Sequence, residues 1–309
     1  MSSKQQPARQ PNLFILGAAK SGTTSLYHYL AQHPDVFMCP GKEPNFFTEG
    51  YQTVGNPIDY YRLFDGVRNE TVIGEASHSY LTNPSTASVL AALYPRARYI
   101  VVLRDPVDRA FSLYHAMRRT GHEPVGTFEN ALEVEEERWN SDAFRKKCTH
   151  YFYNFMYFRS GLFGEQLQRY LGLFERSQIL VLSFDELTTE PAKVMRRVYG
   201  FLEIDGTFVP KFEVYNEGGT TNRYPGLHVW MKHQLKEKPG RHWLYAVIKR
   251  LLNPSAKEAP PPMSSATRAR LIERYRADQK LLKDLTGVSV LKDGGLMNAA
   301  DREASGYSP

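Results

Sequence analysis

Only two cysteines, Cys39 and Cys148, occur in 309 residues. That is too few for a disulfide framework and is in keeping with a reducing compartment. There is no C-x-x-C pair and no pair of histidines at metal-ligand spacing, so no metal site is expected. No apolar run approaches the ~20 residues that span a bilayer. The polar opening, Met1 to Gln10, carries two positive charges but runs into no apolar core of the kind a signal peptide needs. No internal repeat is evident. These absences point to a cytoplasmic, metal-free protein. What is present is ordinary for a globular chain with ample core: 42% hydrophobic and 23% charged residues. The net charge of +6 suits a partner rich in negative charge, whether a nucleotide or a nucleic acid.

The most informative stretch is Phe14-Ile15-Leu16-Gly17-Ala18-Ala19-Lys20-Ser21-Gly22-Thr23-Thr24-Ser25-Leu26. Leu13 to Leu16 read as a short buried strand. Leu26, Tyr27, Leu30 and Ala31 read as the apolar face of a helix whose first turn is Thr23-Thr24-Ser25. A strand-loop-helix junction aims free backbone N–H groups and the positive end of a helix dipole at one spot. Lys20 adds a full charge there, and Ser21, Thr23, Thr24 and Ser25 add hydroxyls. The order within the loop differs from that of a nucleotide triphosphatase loop, in which lysine follows the last glycine and stands beside a magnesium-binding hydroxyl. Here Lys20 stands two residues before Gly22, giving K-x-G-T-T.

A second junction follows at residues 98–119. Arg98-Tyr99-Ile100-Val101-Val102-Leu103 reads as a buried strand running into Arg104-Asp105-Pro106. Asp105 suits an N-cap and Pro106 a first helical position. Val107, Ala110, Phe111, Tyr114 and Met117 recur at helical spacing as a core-facing stripe. Arg104 is thereby placed at the carboxyl end of a strand, where open parallel sheets bind ligands. Ser112 falls in the second turn of the following helix. The planar fork of arginine suits a phosphate dianion.

The first loop resembles the 5′-phosphosulfate-binding loop of sulfotransferases that use 3′-phosphoadenosine 5′-phosphosulfate (PAPS). The R-D-P-x-x-R-x-x-S spelling, Arg104 to Ser112, resembles the 3′-phosphate motif of the same enzymes. The likeness runs from about Pro11 to Gly287. Gly41-Lys42-Glu43-Pro44-Asn45-Phe46-Phe47 resembles the K-E-P-x-F-F segment of the bacterial and heparan-sulfate-type members. Arg159-Ser160-Gly161-Leu162-Phe163, the strand Gln178 to Phe184, Asn222-Arg223-Tyr224-Pro225 and a terminal helix over Leu271 to Gly287 match later parts of the family.

The resemblance implies an α/β, P-loop-like three-layer fold with a central parallel sheet flanked by helices. It implies PAPS as sulfuryl donor, PAP as product and no metal. Lys20, Ser21, Gly22, Thr23, Thr24, Ser25, Arg104, Ser112, Arg223 and Tyr224 become the expected cofactor-binding set. Lys20 also becomes the group that neutralises charge at the breaking bond. Glu43 matches the family's general base, His78 is the second candidate because histidine suits that task, and Glu75 is expected to orient either one. The acceptor is a small molecule or a glycan, with no nucleic acid involved. Where heparan-type enzymes commonly carry E-K-[ST]-P, this chain has Glu75-Ala76-Ser77-His78, which weakens the case for a polysaccharide acceptor.

Two other classes stay open at this point. In a P-loop NTPase or small-molecule kinase, Lys20 would hold a triphosphate and Asp105 would serve magnesium. A basic binding module could also retain the fold without catalysis.

The expected layout is strand 12–16, helix 23–32, a loop through Glu43, strand 71–75, helix 84–93, strand 98–103, helix 106–119, several helices, and strand 178–184. This alternation specifies a parallel sheet covered on both faces. Residues 1–10 are expected as a flexible N-terminus, 11–290 as one domain and 291–309 as a flexible tail. The aromatic run Tyr151 to Phe158 reads as core packing for a helical layer, with an acceptor-binding wall as the other reading. Residues 227–253 carry six basic residues against the single acid Glu237, interleaved with Trp230, Trp243 and Tyr245 ahead of a proline-rich stretch, in all a 227–262 segment. It reads as a lid-like or solvated surface insertion, with peripheral membrane contact as the alternative.

Overall fold

A computed structural model of the chain describes residues 10–213 and 262–292. Five strands, β1 (Leu13–Gly17), β2 (Val36–Met38), β3 (Val72–Ala76), β4 (Arg98–Leu103) and β5 (Ile179–Ser183), form one sheet in the order β2-β3-β1-β4-β5. Every pairing is parallel. β1 lies at the centre, with the chain passing to β2 and β3 on one side and to β4 and β5 on the other. The site therefore falls where the strand order reverses.

Period-2 alternation divides the strands between two cores, as a sheet covered on both faces requires. Phe14 and Leu16 of β1 and Tyr99, Val101 and Leu103 of β4 face one layer, together with Tyr60, Tyr80, Leu90, Phe163 and Tyr170. Leu13, Ile15, Ile100 and Val102 face the other, against Leu26 and Leu30 of the helix Thr23–Leu30 and Val194 and Val198 of the helix Pro191–Leu202. At about 1.5–3 kcal/mol for each large apolar side chain taken from water, these two layers dominate the stability of the domain.

A third cluster lies beside the sheet. The helix Pro106–Thr120 packs Val107, Ala110, Tyr114 and Met117 against Phe128, Phe155, Tyr157 and Leu271 and Tyr275 of the last described helix, Ser265–Thr286. The run Tyr151 to Phe158 is thus core: Tyr151, Phe152, Phe155 and Tyr157 are buried. Capping follows the local chemistry of the sequence, with Asp105 accepting from the Asp108 amide at 2.8 Å, Pro106 in the first turn, and Gly121 closing the helix with φ 79°.

The expected loop between residue 32 and Glu43 contains β2, a three-residue edge strand that pairs with β3. Such a strand is too short to show alternation, and only its partner reveals it. Both cysteines are free thiols. Among the described residues no helix is long and apolar enough to cross a membrane.

Candidate active site

The carboxyl ends of β3, β1 and β4 are neighbours in the sheet, and each delivers one part of the site. From β1 the chain enters the Lys20 loop, pinned to β4 by the Ala18 amide on the Val102 carbonyl at 2.8 Å. Lys20 adopts φ 66° and Gly22 φ 86°, both in the left-handed region. For Gly22 this conformation comes at little cost, whereas a β-branched or bulky residue is strained there. A Cβ on Gly22 would stand 2.9 Å from Cδ2 of Phe184. The helix Thr23–Leu30 begins here with no side chain capping it. Its first-turn amides are therefore left to face the site, and Thr24 and Ser25 are half-buried in that turn. Ser21 is fully buried, and its hydroxyl has no partner among the described residues.

From β4 comes Arg104, whose guanidinium lies 4.9 Å from the Phe184 ring. One phenyl ring thus braces both the glycine of the first loop and the arginine of the second, a cation–π contact worth about 0.5–1 kcal/mol. Ser112 sits half-buried two turns along the helix that Arg104 precedes. Asp105 has one oxygen on the Asp108 amide and the other on the Lys292 amide, 2.8 Å each. Burial raises its carboxyl, and those two amides oppose the rise. With both oxygens so engaged, Asp105 is a structural cap rather than a magnesium ligand. Arg109, the inner arginine of the same motif, is fully buried and donates to the Tyr157 carbonyl at 2.6 Å, while its Nε and Nη1 have no partner among the described residues.

From β3 comes His78, and opposite it the loop carrying Lys42 and Glu43. Glu43 has φ 97°. One carboxylate oxygen accepts from Lys42 Nζ at 2.8 Å, and the other forms a very short hydrogen bond with Nδ1 of His78. Lys42 also donates to the Thr23 hydroxyl at 3.2 Å, which ties the Glu43 loop to the first. The far ring nitrogen of His78, Nε2, lies 3.3 Å from Oδ1 of Asn154. Burial would raise the Glu43 carboxyl, but the His78 charge and hydrogen bond, followed by those of Lys42, hold it well below the usual carboxylate range.

Glu75 does not orient Glu43 or His78 by contact, as the sequence led one to expect. It is fully buried under the site, where Tyr60 donates at 2.6 Å, Tyr80 at 3.0 Å and Ser77 at 3.1 Å. Burial pushes it up to about 7 against the pull of those three hydroxyls. Its link to the site is indirect: the Ser77 hydroxyl that donates to Glu75 accepts from the Asn45 amide at 3.0 Å, two residues beyond Glu43.

The electrostatics of the pocket are one-sided. Lys20 is lowered by burial and then by the positive charges of Arg119, Arg104 and Lys42, with Glu43 alone opposing them. Four cations facing a single carboxylate already engaged by His78 repel one another, and at an effective dielectric of ~20 a unit pair ~4 Å apart amounts to about 4 kcal/mol. An anion among them relieves that repulsion. The orphaned Ser21 hydroxyl and the uncapped helix supply neutral donors for the same ion.

The strand ends bring together Lys20, Ser21, Gly22, Thr23, Arg104, Glu43 and His78, and Thr24, Ser25 and Ser112 lie in the opening turns of the two helices that follow. Arg223 and Tyr224, with all but the last residue of the 227–262 segment, lie outside the described residues. The sequence reading gave no role to Lys42, Arg119 or Asn154. Arg119 was findable, since it follows Ser112 by seven residues and so lies on about the same helix face. Asn154 carries no local signal. Among the described residues, no group of three or more His, Cys, Asp or Glu side chains could hold a metal ion.

Comparison with known proteins agrees with this geometry. The family model "Sulfotransferase domain" matches residues 10–217. Human "Bifunctional heparan sulfate N-deacetylase/N-sulfotransferase 1" is 31% identical over 210 residues, covering 64% of this chain and 23% of that protein. The human enzyme of the same name numbered 3 is 28% identical over 280 residues, covering 87% of this chain and 29% of its own length. The chain therefore spans less than a third of these curated relatives. A sulfotransferase crystal structure from Alicyclobacillus acidocaldarius superposes with a TM-score of 0.69 at 32% identity, covering 90% of this chain and 96% of the other. The chain belongs to the sulfotransferase family, related both to the heparan sulfate N-sulfotransferases and to bacterial sulfotransferases of known structure.

Proposed function

We propose that the protein transfers a sulfuryl group from PAPS to a hydroxyl or amine of a small-molecule or glycan acceptor. The observation that carries this reading is the set of four cations in which Arg119, Arg104 and Lys42 all act on Lys20, beside an uncapped helix and a serine hydroxyl unpartnered among the described residues. Such a donor set fits a nucleotide with anionic groups at two positions. When bound, PAPS supplies a sulfuryl group on a phosphate leaving group.

The chain's own residues divide the remaining work. Lys20, Ser21 and the Gly22-Thr23-Thr24-Ser25 turn hold the 5′ end, and the Lys20 ammonium neutralises the negative charge that grows on the departing oxygen. Arg104 and Ser112 hold the 3′-phosphate. These groups stand in place before reaction, so the catalytic contribution is positioning and charge stabilisation, as in phosphoryl transfer.

The acceptor must lose a proton, and the Glu43–His78 pair receives it. A carboxylate held so low is by itself a weak base. The hydrogen bond between the Glu43 oxygen and Nδ1 of His78 already holds a proton, so the pair acts as base after giving that proton up, and the acceptor's proton then takes the same place. The relatives named as N-sulfotransferases favour nitrogen as one target, while Ala76 in place of the usual lysine argues for an acceptor less anionic than a sulfated polysaccharide.

The kinase reading loses support on two counts: Lys20 precedes Gly22 in the loop, and Asp105 spends both oxygens on backbone amides. The test is incubation with sulfur-labelled PAPS and a panel of hydroxyl and amine acceptors. Label transfer in the intact enzyme and its loss in Lys20→Met supports the proposal. Release of phosphate from Mg-ATP with no transfer from PAPS sinks it.

A further inference from the structure

We infer that Asn154 is a positioning residue for proton acceptance: its amide fixes which nitrogen of His78 carries a hydrogen, and through that sets how readily the Glu43–His78 pair takes up a proton. The inference rests on the proposed role of that pair as the base, and it concerns a side chain far from it in sequence.

The argument follows a chain of contacts. Asn154 is 5% exposed, lying in the short 3₁₀ helix Phe152–Phe155 beneath the site. Its Nδ2 donates to Nδ1 of His150 at 3.1 Å, which leaves that nitrogen bare. The other nitrogen of His150, Nε2, then carries the hydrogen and meets the Tyr51 hydroxyl at 3.2 Å. With its NH₂ so committed, Asn154 turns Oδ1 to Nε2 of His78 at 3.3 Å. An amide oxygen only accepts, so Nε2 of His78 is the protonated nitrogen and Nδ1 is the one that exchanges a proton with Glu43.

The hydrogen bond between Nδ1 and the Glu43 carboxylate makes the arrangement in the structure the filled one; the empty state, reached when that proton leaves, sets a bare Nδ1 against an ionised carboxylate and takes a proton up readily. Once the acceptor's proton has arrived, the ring is an imidazolium donating at both nitrogens, to Glu43 and to Asn154. The Asn154 oxygen stabilises that filled state.

Other ionisable groups surround the ring. Lys42 shares Glu43 with it, and Lys20 lies beyond Glu43. The Tyr151 ring centroid stands 6.3 Å away, and Tyr51 is in the field of Glu43. Arg169 holds the carbonyls of Leu81 and Thr82 on the short helix that His78 begins, and Glu75 lies buried three residues back along the chain. Nε2 itself meets Asn154. The active form is the empty one, so turnover rises with pH as that form is populated.

The test compares the intact enzyme with Asn154→Leu and the near-isosteric Asn154→Asp. The readouts are the pH profile of kcat and the ring-nitrogen NMR signals of His78, assigned among nine histidines with His78→Gln. The filled state loses its Nε2 acceptor in Asn154→Leu. The midpoint then moves to lower pH by roughly one unit, because a hydrogen bond to a charged group is worth about that much titration. Asn154→Asp moves it to higher pH. Opposite displacements in kcat and in the ring titration support the inference. A midpoint and ring titration that stay put in both variants, with only a uniform fall in kcat, overturn it. If instead Glu43→Gln turns over at the unaltered rate, the base reading fails, while the ring titration still decides the role of Asn154.

Discussion

Replacing Glu75 by glutamine should flatten the pH dependence of the protein's stability. Burial raises this carboxyl from 4.5 to about 7 in the folded chain. The sign follows from linkage: an acid whose titration is raised by folding binds more protons in the native state than in the unfolded one. Its contribution is fully present below pH 4.5 and is lost as the pH climbs through about 7. A displacement of about 2.5 units at 1.36 kcal/mol each gives about 3 kcal/mol, a sizeable fraction of a typical domain's stability.

Glutamine keeps an acceptor for the hydroxyls of Tyr60 and Tyr80 and has an NH₂ for Ser77, but it cannot ionise. Urea unfolding of both proteins from pH 4.5 to 8.5 isolates the difference, because every other titrating group is common to the pair. The expected result is near-equal stability at the acid end and a Glu75→Gln protein that is more stable by up to about 3 kcal/mol at the alkaline end. Parallel curves across the whole range would refute the reasoning, since Glu75 would then titrate alike folded and unfolded.

Further outcomes follow from the site. Glu43→Gln removes the proposed proton acceptor, and kcat should fall by about 10²–10⁴ while binding of adenosine 3′,5′-bisphosphate is not weakened. Lys20→Met should lower kcat by about 10²–10³ with a smaller effect on nucleotide affinity, because its charge counts most as the bond breaks; single-turnover kinetics separate the two. Gly22→Ala combines a backbone strain of about 1–3 kcal/mol with a Cβ placed 2.9 Å from the ring that also braces Arg104, so calorimetry should read weaker bisphosphate binding.

Local chemistry made much of this molecule legible. The Lys20 loop and the Arg104 junction each lie within a few residues of sequence, and their glycines, cap and hydroxyls announce the turn they make. The strands read as continuous apolar runs, so a sheet covered on both faces follows from the pattern, whereas the division of their side chains between two cores does not. Contacts closed by the tertiary fold were less visible. Glu43 and His78 stand 35 residues apart, and both were candidates for one task, but nothing local indicated that they touch. His78 and Asn154 are 76 residues apart and went unconnected. Glu75, expected to orient Glu43 or His78, is instead turned into the interior among tyrosines. Edge strand β2 was hidden because three residues are too few to carry a period.

The central claim is that the β1 and β4 junctions hold the two ends of a bisphosphate nucleotide without metal. Isothermal titration of the full chain with adenosine 3′,5′-bisphosphate, in chelator, against ATP with magnesium tests it most directly. The account predicts saturable binding of the bisphosphate in the absence of metal, weakened at least tenfold in Arg104→Ala, and no comparable binding of Mg-ATP. Tight binding of Mg-ATP together with no heat from the bisphosphate would contradict it.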